Sequence, residues 1–496
     1  MQLLTINRIK ESNKKHFTIA FSALIGSAFL GLAVPVFGIS AGAIAIGIAT
    51  SMLLVTAYAF LSENTKQQYL LLTLLYGPVL LAIDVKVQGS NFWGIWQIAL
   101  AMMSLAGIRN FGVAMGKSPL LQVAIVCFLS YIALGAISSL TGRSKLLPGL
   151  YQLISDFKPL MVIVLGFSII WSPKIEAVMR SAVNWIWLPI LLLIAIEWLS
   201  PQAYGMIFSG GSDYGALAPV VARQFHAVGF FEHPSFLASF AAFFAILAAA
   251  RAMYKRREAR ASSILSGIYL AITFISLERQ EIAACIMAIL LMYIISGGKN
   301  KLFARLSIAI AAVIVSTTIF WLMHSESMTR EATAWGIGAR GIIDHPRPQI
   351  MVGAWRVASD YFPIGAGLGT YGGAGAAKFD DTLYRDLGFG RYYWFGKESY
   401  LTDTYWPNSI AETGFIGAVL LLAYFGLILV YATRRSIEAE GSRKIYWIAA
   451  AGALAYMLML SLTSPSFQDP RLFLLPALLF GIAYSRSAKI EYEKVA

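Results

Sequence analysis

The sequence predicts an all-α polytopic membrane protein, and three observations lead to this fold class. The chain has 496 residues, of which 58% are hydrophobic and only 13% are charged, about half the charged fraction of a soluble domain. Its apolar residues form long runs, and about 20 such residues span a bilayer as a helix. Its 39 Lys and Arg residues outnumber 26 Asp and Glu but lie between these runs, so membrane topology explains them better than nucleic-acid binding does.

About fourteen apolar runs (12–14) are candidate transmembrane helices. The basic residues before the first run and the lack of a convincing cleavage site predict that it is a retained span. The pair of runs around residues 278–281 could also be one broken helix. The runs cover approximately residues 17–36, 40–61, 68–84, 93–109, 119–139, 157–172, 181–199, 234–252, 262–277, 279–296, 303–323, 405–432, 445–463 and 470–486.

The distribution of Lys and Arg predicts the orientation of these spans. Basic residues concentrate in cytoplasmic loops of membrane proteins, and an inside N-terminus places most of them there, including Arg256, Arg257 and Arg434. An even number of spans then leaves both termini in the cytoplasm. We therefore expect a multi-pass membrane protein with its long loops on the outer side.

Two of the predicted outer segments, 200–233 and 324–404, are too long to be simple connectors. We divide the chain accordingly: 1–199 is an N-terminal transmembrane bundle, 200–323 carries spans with the first outer loop, 324–404 is a large loop, and 405–496 holds the C-terminal helices. Long loops of this kind usually have a function or a small fold of their own. The large loop is rich in aromatic residues: Trp335, Trp355, Tyr361, Phe362, Tyr371, Tyr384, Tyr392, Tyr393, Trp394 and Tyr400.

Ionisable residues cluster in the predicted outer segments. Arg223 and His233 lie in the stretch that leads into the run at 234–252, and Arg279 lies at a short turn between two runs. Charged groups at membrane depth are costly and usually face a site or a pathway. A salt bridge with Glu278 or Glu281 is the structural alternative for Arg279, and a solvated loop position is the alternative for Arg223.

A third cluster combines Arg347 with a glycine-rich turn. Gly367, Gly369 and Gly372 match G-x-G-x-x-G, but a dinucleotide site needs a preceding strand and a following helix. Here the triplet follows Pro363 in an outer loop. We therefore expect a tight turn that requires glycine.

The fourth cluster, at 402–417, leads into the run at 405–432. Pro407 suits the first turn of a helix, so Asp403 lies just before it. A carboxylate there could act as a general base or could complement the positive end of the helix dipole. Histidine spacing fits metal ligation poorly, and no G-x-S-x-G turn supports a hydrolase. Cys127 and Cys285 lie within apolar runs, where buried free thiols are expected.

Taken in order, these clusters resemble the O-antigen polymerase and O-antigen ligase superfamily of bacterial envelopes. The resemblance covers about residues 180–432. It rests on four ordered pieces: Arg223 before a Gly-Phe-Phe step that ends at Pro234, Arg279 at an outer turn, Arg347 before the P-x-G-x-G-x-G of 363–369, and A-E-T-G-x-I-G at 411–417.

The resemblance implies a GT-C-like helical fold in a bacterial inner membrane, with the large loop on the periplasmic side. It also implies glycan transfer from undecaprenyl diphosphate on that side, without a metal or another cofactor. Its implied partners are lipid-linked glycan donor and acceptor, the bilayer, and a chain-length regulator and a flippase of the same pathway. Arg223 and Arg279 would bind the diphosphate, and Asp403 would orient or deprotonate the acceptor. Arg347, His233, Glu412 and Trp406 would contribute to substrate binding.

One residue departs from the family pattern. Ligases of the superfamily carry a histidine nine positions before the Glu of the closing motif, and here that position is Asp403. We therefore expect a polymerase of exopolysaccharide or O-antigen repeats, with His233 as another candidate base. A ligase remains the alternative, and so does a glycolipid flippase or transporter, to which Lys158 and Glu197 point.

Overall fold

The computed structural model describes residues 92–167, 173–200, 204, 227–229, 231, 233–296, 346–396, 398–469, 471–472 and 476–484. Within these residues every regular element is helical. The α-helices are α1 Phe92–Gly116, α2 Pro119–Thr141, α3 Leu146–Gly166, α4 Pro173–Trp185, α5 Trp187–Leu199, α6 Pro234–Tyr254, α7 Ala259–Ile275, α8 Arg279–Ser296, α9 Pro346–Asp360, α10 Ala374–Phe379, α11 Thr382–Asp386, α12 Glu398–Leu401, α13 Trp406–Glu438 and α14 Ser442–Leu460. A final helix occupies residues 476–484.

Six helical segments of the described chain are long and apolar enough to cross a membrane, which supports the predicted multi-pass membrane protein. The total of about fourteen spans stays a prediction, because the runs before residue 92 and at 303–323 lie outside the described residues. The six segments are Pro119–Thr141, Leu146–Gly166, Arg180–Leu199, Pro234–Tyr254, Arg279–Ser296 and Trp406–Glu438.

The sequence placed one helix incorrectly. The apolar run at 157–172 predicted a span there, but α3 begins at Leu146, well before that run, and ends at Gly166. Its first half carries Gln152 and Asp156, which lowered the local hydropathy although both side chains are buried. The prediction for 279–296 coincides with α8, and Leu277 at φ 59° separates it from α7, so the two runs are separate helices.

Local chemistry explains where several helices begin. Pro234 and Pro407 occupy the first turns of α6 and α13, where a missing N–H costs no helical hydrogen bond. Ser118 caps α2, and its hydroxyl accepts a hydrogen bond from the N–H of Leu121. These starts orient the helices, and packing then decides their depth.

Helix α6 is the centre of the bundle. In its most apolar window 83% of the residues are buried, against 28% for α2. It packs against α7, α8 and α14, while α13 packs against α2, α9 and α14. Helix α2 therefore has a broad face left for lipid, whereas α6 is enclosed by protein.

One end of the bundle gathers most of the irregular segments. Ser138 of α2 donates a hydrogen bond to the carbonyl of Glu412, and the indole of Trp406 donates one to Ser461. The hydroxyl of Tyr456 donates one to Ser239. We call this end the loop face; it comprises residues 138–149, 227–229, 233–239, 276–281, 347, 361–375, 403–414 and 461–469.

The predicted large loop contains a compact aromatic unit, which we call the aromatic subdomain (residues 371–401). Helices α10 to α12 surround the buried rings of Tyr371, Tyr384, Phe389, Tyr392 and Trp394. Two ion pairs attach the subdomain to the turn between α2 and α3: Arg143 with Asp386 at 2.6 Å, and Lys145 with Asp380 at 3.0 Å.

Candidate functional site

The glycine-rich segment forms a tight loop on the loop face; we call residues 363–372 the glycine loop. Gly365, Gly367, Gly369 and Gly372 all have positive φ, between 72° and 101°. Side chains disfavour this backbone region, so glycine is required. Neither a preceding strand nor a βαβ unit occurs in the described residues around the loop, which contradicts a dinucleotide site and agrees with the expected turn.

The closing motif provides the surface on which the glycine loop docks. Gly414 lies within α13 at φ 68° and ψ −178°, and this residue interrupts the helical hydrogen-bond ladder. The carbonyls of Ala411 and Glu412 accept hydrogen bonds from the loop instead, from Ala366 N at 2.9 Å and Gly367 N at 3.0 Å. The A-E-T-G sequence therefore joins helix and loop through backbone groups.

Glu412 strengthens the same junction with its side chain. Its Oε1 accepts hydrogen bonds from the N–H groups of Thr370 at 2.9 Å and Tyr371 at 3.0 Å. The residue is fully buried. Its Oε1 thus faces the loop backbone and holds it, and the substrate contact of Glu412 stays a prediction.

Arg347 and Asp403 meet at the edge of the loop face. Arg347 lies in the first turn of α9, and its Nε is 2.6 Å from Oδ2 of Asp403, just before α13. The side chains are 19% and 31% exposed, so the pair is neither enclosed in the core nor fully solvated. Charge-assisted hydrogen bonds of this length orient both groups. The structure thus brings together two residues that are 56 positions apart in the chain.

Arg279 lies on the same face as this pair. It is the first residue of α8 and is exposed. Glu281, in the first turn of α8, is buried and lies within electrostatic range of Glu278 and Arg347. The first turn of α8 therefore carries Arg279 together with an acidic residue that interacts electrostatically with Arg347.

His233 and Trp406 have local structural contacts. The Nδ1 atom of His233 accepts a hydrogen bond from Ser235 N at 3.1 Å and caps α6. The indole N–H of Trp406 donates to Ser461 at 3.0 Å and ties α13 to the end of α14. Arg223 lies outside the described residues, so its predicted role in diphosphate binding stays a prediction.

The aromatic residues of the large loop mostly form a core. Tyr392 and Trp394 stack at 5.3 Å with an interplanar angle of 6°, and both are buried. Burial and the neighbouring Tyr384 raise the pKa of Tyr371, so that phenol stays protonated. Tyr393, by contrast, is exposed.

A buried polar network escaped the sequence analysis. The carboxylate of Asp156 accepts hydrogen bonds from Tyr131 at 3.0 Å, Gln152 at 2.8 Å and Gln468 at 2.9 Å. The shifted prediction for α3 placed Asp156 just outside a span and hid it. The polar spacing of Gln152 and Asp156, four positions apart, could have revealed one helical face.

Asp469 and Arg471 lie next to this network. Their side chains form a two-bond ion pair, with Nη2 to Oδ2 at 2.6 Å and Nε to Oδ1 at 3.0 Å. The guanidinium of Arg471 lies 3.9 Å from the ring centroid of Phe236. Lys158 is within electrostatic range of both charged residues. The residues Gln-Asp-Pro-Arg at the start of the last apolar run were the available sequence evidence.

Glu197, one of the two residues that pointed to a transporter, also has a backbone role. Its carboxylate accepts hydrogen bonds from Val228 N at 3.0 Å and Gly229 N at 2.9 Å. Gly229 has φ 63°. Glu197 thus holds the backbone of Val228 and Gly229 before α6, much as Glu412 holds the glycine loop.

The sequence was also compared with known proteins. No protein-family model matches it, and no curated protein matches it significantly.

Proposed function

We propose that this chain is a membrane glycosyltransferase that polymerises oligosaccharide repeats carried on undecaprenyl diphosphate. The proposal includes the GT-C-like fold and the periplasmic location of the loop face that the resemblance implies. The single observation that supports it most is the partly exposed Arg347–Asp403 pair, which lies at the end of the apolar helical bundle where α8 begins with Arg279. A lipid-linked substrate has its diphosphate at the membrane surface, where such a pair can reach it.

The chemistry requires stabilisation of a leaving diphosphate. In the proposed reaction a hydroxyl oxygen of the acceptor sugar attacks the anomeric carbon of the donor. The bond from that carbon to the diphosphate oxygen breaks, and its electron pair leaves with the diphosphate, so the anomeric centre is inverted. Guanidinium groups fixed before the reaction stabilise the developing charge. Arg279 and Arg347 supply this stabilisation in the proposal, together with Arg223.

The proton of the attacking hydroxyl needs an acceptor. Asp403 is the proposed acceptor, since its carboxylate is accessible and is oriented by Arg347. Substrate diphosphate competes for Arg347, and its binding would release one carboxylate oxygen for the hydroxyl. His233 fits this task less well, because its Nδ1 atom is engaged in capping α6.

The test uses the purified chain in lipid nanodiscs with lipid-linked repeat units accumulated in a host that lacks this chain. We expect a ladder of lengthened glycans on a gel. Arg279→Ala, Arg347→Ala and Asp403→Asn are each expected to abolish the ladder. The matched controls are Arg385→Ala and Asp381→Asn, which disrupt an exposed pair in the aromatic subdomain and should leave the ladder intact.

The same experiment separates the alternatives. Product that forms only after lipid A core or protein is added would establish a ligase and overturn the polymerase. Movement of the lipid-linked repeat across the bilayer after the chain is reconstituted in proteoliposomes, without any new glycosidic bond, would establish a transporter. A ladder that survives both Arg347→Ala and Asp403→Asn would remove the proposed site.

A further inference from the structure

Helix α9 exposes large apolar side chains although it lies outside the six candidate spans. Val352 and Trp355 are each 55% exposed, and Phe362, just after the helix, is 70% exposed. The opposite face of α9 is buried through Ile350 and Val357. The exposed face of α9 is mixed, because Arg356, Ser359 and Asp360 accompany Val352 and Trp355. Large apolar side chains exposed in this way on a surface helix are typical of an interaction surface.

The exposed face of α9 continues directly into the lipid-facing surface of α13. The ring of Trp355 lies 5.1 Å from that of Phe415, the residue after the Gly414 kink. Ile416 and Val419 follow on α13 and are 49% and 64% exposed. The lipid that surrounds α13 at Ile416 and Val419 therefore extends over the exposed face of α9 as well.

The nearby turn between α2 and α3 has the same character. Leu140 and Leu146 are both largely exposed, and Arg143 N donates a hydrogen bond to Ala366 of the glycine loop at 2.8 Å. Arg143 and Arg356 are exposed on the same surface, each beside an exposed aspartate: Asp386 at 2.6 Å and Asp360 at 4.0 Å. Exposed apolar groups mixed with arginines whose heads reach outward are typical of a membrane interface.

We propose that α9, Phe362 and the turn between α2 and α3 lie in the interfacial layer of the bilayer as one surface anchor. The apolar side chains enter the acyl boundary, and Arg143 and Arg356 reach the lipid phosphates. Arg347, in the first turn of α9, is then held at the level of the headgroups. This anchor does not depend on the proposed function, and it would hold for any reaction at the loop face.

Site-directed spin labelling in nanodiscs tests the anchor. In a Cys127→Ser, Cys285→Ala background, single labels are placed through Trp355→Cys and Phe362→Cys. Val419→Cys is the lipid-facing control, and Tyr393→Cys, 71% exposed on the aromatic subdomain, is the control for water. Collision with oxygen reports lipid, and collision with a nickel chelate reports water.

We expect the oxygen-to-nickel ratio at Trp355 and Phe362 to exceed clearly that at Tyr393 and to be no higher than that at Val419, because an interfacial label lies less deep than one on a span. A ratio equal to that of Tyr393 at both sites would overturn the anchor. Protection from both reagents would also overturn it, because the face would then be covered by protein. Should Trp355→Cys fail to fold, Val352→Cys on the same face carries the same expectations.

Discussion

Two acidic residues of the same sequence cluster behave in opposite ways. Glu412 is fully buried and its carboxylate accepts two backbone N–H groups, whereas Asp403 is partly exposed and faces one arginine side chain. Backbone donors cannot move without unfolding the loop, but a side-chain partner can be exchanged for a ligand. The comparison teaches that the partner of a carboxylate, and not its place in a motif, separates an anchor from a reactive group.

The largest expected effect on stability comes from disrupting the junction between the glycine loop and α13 at Gly365. At Gly365 a Cβ would lie 2.5 Å from Gly414 N, so Gly365→Ala adds a backbone clash to an unfavourable φ. We expect a loss of about 3 kcal/mol or more in unfolding free energy, measured by thermal unfolding in detergent. Gly388 is the control: its φ is 80° but no atom lies near its Cβ position, and Gly388→Ala should cost about 1 kcal/mol.

Glu412→Ala disrupts the same junction at its α13 side. It leaves the N–H groups of Thr370 and Tyr371 without their acceptor in a buried site, and we expect a loss of about 2–4 kcal/mol. Glu412→Gln keeps an oxygen at the same position and should retain most of the stability. Equal melting temperatures for the Ala variant and the wild type would show that the carboxylate does not hold the loop.

Trp406→Phe has a smaller effect on stability. The ring contact with Tyr405 is retained, while the hydrogen bond to Ser461 is lost, so the expected cost is about 1 kcal/mol. Ser461→Ala removes the same bond from the other side. Because both single variants break the same bond, the double variant should lose less unfolding free energy than the two single losses added together. Losses that add fully would argue against the bond.

The smallest effect on stability belongs to Asp403→Asn. A partly exposed ion pair contributes about 1 kcal/mol or less, so the melting temperature should change little although glycan polymerisation is expected to stop. This contrast with Glu412→Ala sharpens the comparison directly. A large loss of stability from Asp403→Asn would make Asp403 a second anchor, and the assay should then be repeated with Arg347→Lys.

Much of the fold could be predicted from local chemistry. The start of α8 at Arg279, the prolines in the first turns of α6 and α13 and the glycine turn all follow from hydropathy and backbone preference. The start of α3 could not be predicted in this way. Its polar residues are typical of a loop, and only their hydrogen bonds to other parts of the chain offset the free-energy cost of burying them.

In the candidate site, too, the sequence indicated individual residues but not their contacts. The sequence identified Arg347, Asp403 and Glu412 as notable side chains, but the 56 positions between Arg347 and Asp403 gave no reason to pair them. It also could not separate the aromatic core from exposed rings, since both use the same residue types.

By itself, the amino-acid sequence determined an apolar helical chain, several helix starts and the positions where the backbone must use glycine. These properties depend on residues close together in the chain, through hydropathy, allowed φ values and missing N–H groups. Only the tertiary structure decided which acids are anchors, which aromatic rings are buried and which face of α9 is left open. Each of those outcomes depends on a partner distant in sequence, and hydrogen bonds and burial act through space.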